Sequence, residues 1–193
     1  MRINDLYITH ESTREVHLLK TNCKQFFSES SSLPLFKNLS SSYGDFHKVK
    51  VRKRKGESSD FTETFNEAFE NQHPGLRQRA IFANGSKSFQ PITNEEFEPF
   101  YIFPIDGYKF MYSSEVENSG HEYKQVFETL FDQFGEEKGN EVLTDLLRFT
   151  YTAKSLNEGI ESGSEIILYG IPYFYAMKVS AVEDYAALLY KVL

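Results

Sequence analysis

The chain has 193 residues, of which 40% are hydrophobic, and it carries a formal net charge of −7 at pH 7. This length suits a single domain over residues 1–193, and the 18 Phe and 12 Tyr side chains are enough to fill its core. The acidic balance argues against a general duplex-DNA binder, and the single cysteine, Cys23, excludes an intrachain disulfide framework.

The sequence shows no sign of export or of a membrane partner. Residues 1–5 carry no apolar leader, and no run approaches the ~18–20 apolar residues that cross a bilayer. We therefore expect a cytoplasmic protein. Its charge is unevenly spread, with 14 Lys/Arg and 10 Asp/Glu in residues 1–90 but 7 and 18 in residues 91–193.

The first third of the chain predicts two helices and two strands. Ser12 and Glu15 fit a capping box, and apolar residues recur at helical spacing after it. The pattern predicts a helix over 13–28, and a second apolar stripe predicts another over 61–71. The strand candidates of this part are 33–39 and 47–54.

The middle of the chain reads as strands followed by helices. Residues 76–83 are a strand candidate, and Asp106-Gly107 is typical of a two-residue turn that joins strands 100–105 and 108–112 in a hairpin. Two apolar stripes between 121 and 158 predict a helical insertion. A closing helix is expected over 183–190.

Glu165 is the acid with the most apolar surroundings in the chain. It opens a buried strand over 166–169, which Gly170 and Pro172 end before the next strand begins at Tyr173. A carboxylate at the mouth of a buried strand has to be paired, hydrogen-bonded or functional, because burying it alone costs on the order of 5 kcal/mol. A salt bridge to a lysine is the structural alternative to a functional role.

Familiar catalytic motifs are missing from the sequence. It contains no P-loop, no dinucleotide-binding glycine fingerprint and no Gly-x-Ser-x-Gly elbow. The five histidines fall in different predicted elements and there is no cysteine pair, so no metal site is expected.

Several segments, taken in order, carry a family resemblance. They are 22–27 leading into 33–38, then 79–86, 101–105 and 164–168. Together they resemble the ADP-ribosyltransferase fold, and more narrowly transferase-like proteins of bacteriophages. The resemblance implies an α+β fold with a split antiparallel sheet, an N-terminal helix and a helical insertion at about 121–158.

The resemblance also implies NAD as the substrate and a set of site residues. Glu165 corresponds to the catalytic glutamate, which stabilises the oxocarbenium-like transition state formed when nicotinamide leaves. Ser86 would position the nicotinamide ribose, and Phe82 or Tyr101 would stack on nicotinamide. Lys37 stands where the family has an arginine that grips NAD. The acceptor of ADP-ribose would be a host protein or nucleic acid in the cytoplasm of the infected cell.

Two departures from the family pattern support an alternative. Lys37 lacks the planar fork with which arginine binds a pyrophosphate, and Asn38 replaces the usual glycine. The alternative is a non-catalytic phage component, either a virion or tail protein that contacts other virion proteins or a protein that binds a host factor.

A basic segment over 48–55 permits two interpretations. Lys48, Lys50 and Arg52 point to one side of the predicted strand, and Arg54 continues the series. The charges either protect an edge strand against mispairing or contact nucleic-acid phosphates or an acidic partner.

Overall fold

The computed structural model describes residues 14–53, 60–116, 119–182 and 184–193. Its eight helices begin with α1 over 14–22. They continue with α2 (Lys24–Glu29), α3 (Asp60–Ala68), α4 (Leu76–Arg79), α5 (Ser119–Phe134), α6 (Glu136–Thr150), α7 (Leu156–Ser162) and α8 (Tyr185–Val192). None of the helices in these ranges is both long and apolar enough to cross a membrane.

Within these described ranges, seven strands form one antiparallel sheet in the order β2-β7-β4-β1-β3-β6-β5. The strands are β1 (Phe36–Ser40), β2 (Phe46–Lys50), β3 (Ile81–Asn84), β4 (Phe97–Pro104), β5 (Lys109–Met111), β6 (Glu165–Tyr169) and β7 (Tyr173–Lys178). The α+β class and the antiparallel sheet are as expected from the sequence.

The pairing between neighbouring strands is shortest between β1 and β3. These strands share a single pair, Phe36 with Asn84, whereas β1 pairs with β4 over five residues and β3 pairs with β6 over four. The strands on either side of this junction are therefore held mainly by their other neighbours. A three-residue connection, 170–172, links β6 directly to β7 on the far side of the junction.

Both faces of β3 and β6 are covered, which explains the continuous apolar run of β6. Ile81, Ala83, Ile166 and Leu168 belong to a core cluster that also contains residues of α1, α2, α7 and α8. The alternate side chains belong to a second cluster with α3 to α6; in β6 these include Ile167, which is fully buried. Since successive side chains of a strand point to opposite faces, neither face leaves room for polar residues in the middle of the strand.

The predicted helices over 13–28, 61–71, 121–158 and 183–190 are largely confirmed. The first is divided at Cys23, whose backbone leaves the helical region although its N–H still donates to the Leu19 carbonyl at 3.0 Å. Ser12, Thr13 and Glu183 lie outside the described residues.

Two predictions about local structure are wrong. Residues 76–79 form helix α4, and the strand begins only at Ile81. Residues 76–79 follow Gly75, whose φ of +65° starts a helical turn in which the Ala80 N–H bonds to the Leu76 carbonyl at 2.8 Å.

The predicted hairpin at Asp106-Gly107 does not form either, because β4 pairs with β1 and β7 while β5 pairs with β6. The turn instead contacts α1 and α2. The Asp106 N–H donates to the Asn22 carbonyl at 2.6 Å, and the Gly107 N–H donates to Gln25 Oε1 at 2.8 Å. These tertiary bonds replace the ladder that a hairpin would have formed.

Candidate functional site

A cavity of about 340 Å³ lies where β1 and β3 separate. We call it the junction cavity. Lys37 and Asn38 line it from β1, Phe82 and Asn84 from β3, and Glu165 from β6. The remaining lining residues belong to the loop after β3 and are Ser88, Phe89, Gln90 and Ile92. The volume falls within the range of about 300–1,000 Å³ that is usual for small-molecule sites.

Lys37 crosses the gap between the two strands. Its Nζ donates to the backbone carbonyl of Phe82 at 2.7 Å. In a continuous sheet a carbonyl at this position would accept a bond from the neighbouring strand, and a buried carbonyl left unpaired is costly. The lysine thus provides a hydrogen bond to the Phe82 carbonyl of β3 and places a positive charge at the wall of the cavity.

Asn38 and an aromatic stack fix the loop that closes the cavity. The Asn38 side chain donates to the Gln90 carbonyl at 2.9 Å and accepts from the Ile92 N–H at 3.0 Å. The Phe89 ring stacks on Phe36 with centroids 5.0 Å apart. These contacts hold the loop close to β1, so the cavity has a defined shape.

Glu165 begins β6 directly opposite Asn84. Because paired residues and residues two positions apart share a face, Phe82, Asn84 and Glu165 lie on the same side of the sheet. This is the side covered by α3 to α6. Glu165 itself is half-buried.

One oxygen of Glu165 is anchored at the start of α5. Its Oε2 accepts a hydrogen bond from the Ser119 N–H at 3.2 Å and another from the Ser119 hydroxyl. The positive end of a helix favours a carboxylate at this position. Oε1 accepts no hydrogen bond from any residue that the structure describes, so this oxygen is available to a ligand.

The Glu165 carboxylate and Ser119 are surrounded by a guanidinium group and aromatic rings. Ser119 is fully buried and its hydroxyl also accepts from Arg77 Nη1 at 3.2 Å. The Arg77 guanidinium lies over the Phe82 ring at 5.3 Å. Burial, followed by nearby Tyr123 and the Glu165 carboxylate, raises the pKa of Tyr151 well above its usual value, so this neighbour stays a neutral phenol.

The structure brings together three of the five residues predicted to act on NAD. Lys37, Phe82 and Glu165 all line the junction cavity. Ser86 is exposed in the turn after β3 and does not line the cavity, whereas Ser88, two residues later, does. Tyr101 lies in the core, 4.7 Å from the Tyr185 ring and 5.1 Å from that of Phe36.

The remaining predicted contact residues lie elsewhere on the sheet. Lys48 and Lys50 are exposed on the edge strand β2, and Arg52 follows it. Arg54 lies outside the described residues. Among the described residues, no three His, Cys, Asp or Glu side chains are close enough together to hold a metal ion.

Several lining residues were missed by sequence reasoning. Asn84 ends the short strand β3, and Ser88 and Gln90 lie in the polar loop after it, where such residue types are explained by turn formation alone. Ser119 is separated from Glu165 by 46 positions, and no pattern in one sequence shows that pairing.

Comparison of the chain with protein-family models, with curated proteins and with solved structures finds no match.

Proposed function

We propose that the junction cavity binds the nicotinamide-ribose end of NAD and that the protein transfers ADP-ribose to a host macromolecule of a phage-infected cell. The observation that carries this proposal is the convergence of Lys37, Phe82 and Glu165 on one cavity. These residues come from three strands and are up to 128 positions apart in the sequence.

In the proposed reaction, the bond between ribose C1′ and the nicotinamide nitrogen breaks. Its electron pair leaves with the nicotinamide, whose ring nitrogen loses its positive charge, and C1′ acquires oxocarbenium character. A nucleophilic group of the acceptor then bonds to C1′ and releases a proton. Glu165 Oε1 would accept a hydrogen bond from a ribose hydroxyl and stabilise the developing positive charge.

The other residues of the cavity would bind and orient the substrate. The Phe82 ring would contact the nicotinamide, and the Lys37 ammonium would attract the pyrophosphate as a point charge. The anchoring of Glu165 Oε2 by Ser119 supports the proposal, because a carboxylate that is already fixed needs no reorganisation during the reaction.

The test is incubation with labelled NAD and a host lysate, followed by measurement of both transferred label and released nicotinamide. Glu165→Gln keeps the size of the side chain but removes its charge, and we expect it to lower the rate by about 10²–10³-fold. The matched control is Glu161→Gln, an exposed site on α7, which should behave as wild type. Absence of transfer and of NAD cleavage by wild type would refute the proposal.

A second candidate function has its own supporting observation. Glu165 Oε2 caps α5 and Lys37 binds the Phe82 carbonyl, so both residues already have structural roles without a substrate. A non-catalytic virion component or host-factor-binding protein would retain them for stability. This candidate predicts no thermal shift with NAD at millimolar concentration and a fixed copy number in purified phage particles, measured by mass spectrometry.

A further inference from the structure

A second cleft, of about 510 Å³, lies at the opposite end of β6 from Glu165. It is lined by residues 51–53 after β2, by His73 and Arg79 around α4, and by the β6–β7 connection, residues 170–172. We call its basic members, Arg52, Lys53, His73 and Arg79, the cationic cleft; its positive charges are those of the two arginines and the lysine. Along β6 the two ends are five residues apart, which corresponds to about 17 Å.

Within the described residues, no carboxylate neutralises the charges of the cationic cleft. Arg52, Lys53 and Arg79 are exposed, and no described carboxylate forms an ion pair with any of them. Partial burial, and then the positive charges of Arg79 and Lys109, lower the pKa of the His73 imidazole. Like charges brought together from separate segments repel one another, and a bound anion would relieve that repulsion.

A row of cations along β2 leads into the cationic cleft. Lys48 and Lys50 lie on one face of this edge strand, about 7 Å apart because alternate residues share a face. The Val51 N–H donates to the Pro172 carbonyl at 2.9 Å, so the strand-like pairing continues past β2 and Arg52 extends the same row. A row of evenly spaced charges matches a ligand with repeating anionic groups better than a single small anion.

An aromatic side chain lies within the row. Tyr173 is paired with Lys50 across the β2–β7 ladder, and the Lys48 Nζ lies 3.6 Å from the centre of its ring. Tyr173 is half-buried, so part of the residue is accessible at the surface. Cations that alternate with a surface aromatic ring are typical of proteins that bind single-stranded nucleic acid.

Protection of an edge strand explains only part of this arrangement. It accounts for Lys48 and Lys50 but not for Arg79 and His73, which belong to another segment and converge on the same cleft. Duplex DNA or RNA is disfavoured because the chain as a whole carries a charge of −7 and offers one narrow row in place of a broad basic face.

We propose that the cationic cleft and the adjoining row Lys48, Lys50 and Arg52 bind the phosphodiester backbone of a single-stranded nucleic acid, with Tyr173 contacting a base. The proposal is independent of NAD chemistry, because none of these residues lines the junction cavity.

The test is fluorescence anisotropy with a labelled single-stranded RNA or DNA of about 12 nucleotides, a length within the site size of known single-strand binders. Affinity should fall as salt rises from about 50 to 200 mM, as expected when phosphate contacts displace counterions. In the double variant Arg52→Ser/Arg79→Ser, the slope of log K against log salt should decrease by about 1.4, since each lost contact with a single strand removes about 0.7.

The matched control is Lys154→Ser/Lys191→Ser, which changes the net charge equally at two exposed sites outside the cationic cleft. It should retain wild-type affinity, and circular dichroism should show that both double variants are folded. Tyr173→Leu should weaken binding roughly tenfold through loss of stacking. An equal loss in both double variants, no binding at low salt, or equal competition by inorganic tripolyphosphate would overturn the proposal.

A separate readout distinguishes this proposal from the proposed function. The thermal shift caused by NAD should be the same in wild type and in Arg52→Ser/Arg79→Ser. Loss of nucleic-acid binding with an unchanged NAD response therefore supports the cationic cleft whatever the outcome of the transferase assay. Loss of both responses in the folded variant would contradict the independence of the two sites.

Discussion

The two ends of the β3–β6 pair differ in how their polar and charged side chains are partnered. At the Glu165 end, polar side chains are bonded to the protein itself: Lys37 to a carbonyl, Asn38 to the closing loop and Glu165 to the start of α5. At the Gly170 end, cations converge without carboxylate partners among the described residues. The first end has the fixed geometry that catalysis requires, whereas the second attracts an anion through charge and leaves its position loosely defined.

Local backbone structure accounts for part of this difference. Before Glu165 the chain leaves α7 at Gly163, with a φ of +86°, and the Ser162 and Ser164 hydroxyls are 2.6 Å apart. Ser164 is buried, so β6 begins in a closely bonded turn. After β6, the exposed Gly170, with a φ of +83°, and Pro172 direct the chain into β7 without an equivalent network among their side chains.

The largest expected effect comes from a residue that both ends share. Ile167 is fully buried in the middle of β6 and pairs with Phe82 and Met111. We expect Ile167→Ala to lower the free energy of unfolding by about 2–5 kcal/mol through lost burial and the cavity left behind. In this variant, the binding of NAD and of nucleic acid should be lost over the same, lowered temperature range. Thermal unfolding in the presence of each ligand measures this.

The matched control for this prediction is Phe149→Ala, since Phe149 is 88% exposed on α6. Its effect on stability should stay within about 0.5 kcal/mol. If Ile167→Ala affected only one of the two ligands, β6 would not be the common support of both sites.

A smaller effect is expected at the junction cavity alone. Lys37→Met keeps the length of the side chain but leaves the Phe82 carbonyl without the bond from Nζ. We expect a loss of about 1–3 kcal/mol in stability from removal of this charge-assisted bond, weaker NAD binding, and unchanged oligonucleotide binding. Denaturant unfolding of this variant, beside the exposed control Lys24→Met, measures the cost. Equal stability of the two variants would show that the bond contributes nothing.

The smallest effect concerns pH. His73 has a folded pKa below its ordinary value of 6.5, so the unfolded chain takes up the proton first and this histidine destabilises the fold as the pH falls below 6.5. A bound phosphate backbone would counter the charges of Arg79 and Lys109 and raise the His73 pKa. Imidazole NMR titrations with and without the oligonucleotide measure both values, with the signal assigned through His73→Gln.

Removing one of the neighbouring cations provides the control for this titration. In Arg79→Ser the pKa of His73 without ligand should rise toward its ordinary value, because one source of repulsion is gone. If the oligonucleotide left the midpoint unchanged in wild type, the phosphate groups would not lie near His73.

The sequence predicted elements where periodicity and burial agree. The strand after Glu165 is a continuous apolar run because both of its faces are covered, and the insertion shows two apolar stripes because they pack against α3 and the sheet. The sequence-based prediction failed at 76–79, where the left-handed Gly75 starts a helical turn. It also failed at Asp106-Gly107, where hydrogen bonds to α1 and α2 determine the turn. Such tertiary contacts leave no periodic signal.

The candidate site followed the same rule. Glu165 was singled out because a lone carboxylate in an apolar run is unusual, and Lys37 and Phe82 because of a family resemblance. Ser119, at the start of α5, and Ser88, in the turn after β3, were missed because small polar residues at such positions carry no distinguishing pattern. The cationic cleft could be recognised only from the structure, since Arg79 and Arg52 are distant in sequence.

The most direct test of the account is a chemical-shift map of the whole protein titrated with NAD. We predict that the signals of Lys37, Asn84 and Glu165 move in a saturable manner while those of Arg52 and Arg79 do not. A single-stranded oligonucleotide should give the reverse pattern. Shifts confined to Arg52 and Arg79, or no shift at millimolar NAD, would contradict the assignment of the junction cavity as the NAD site.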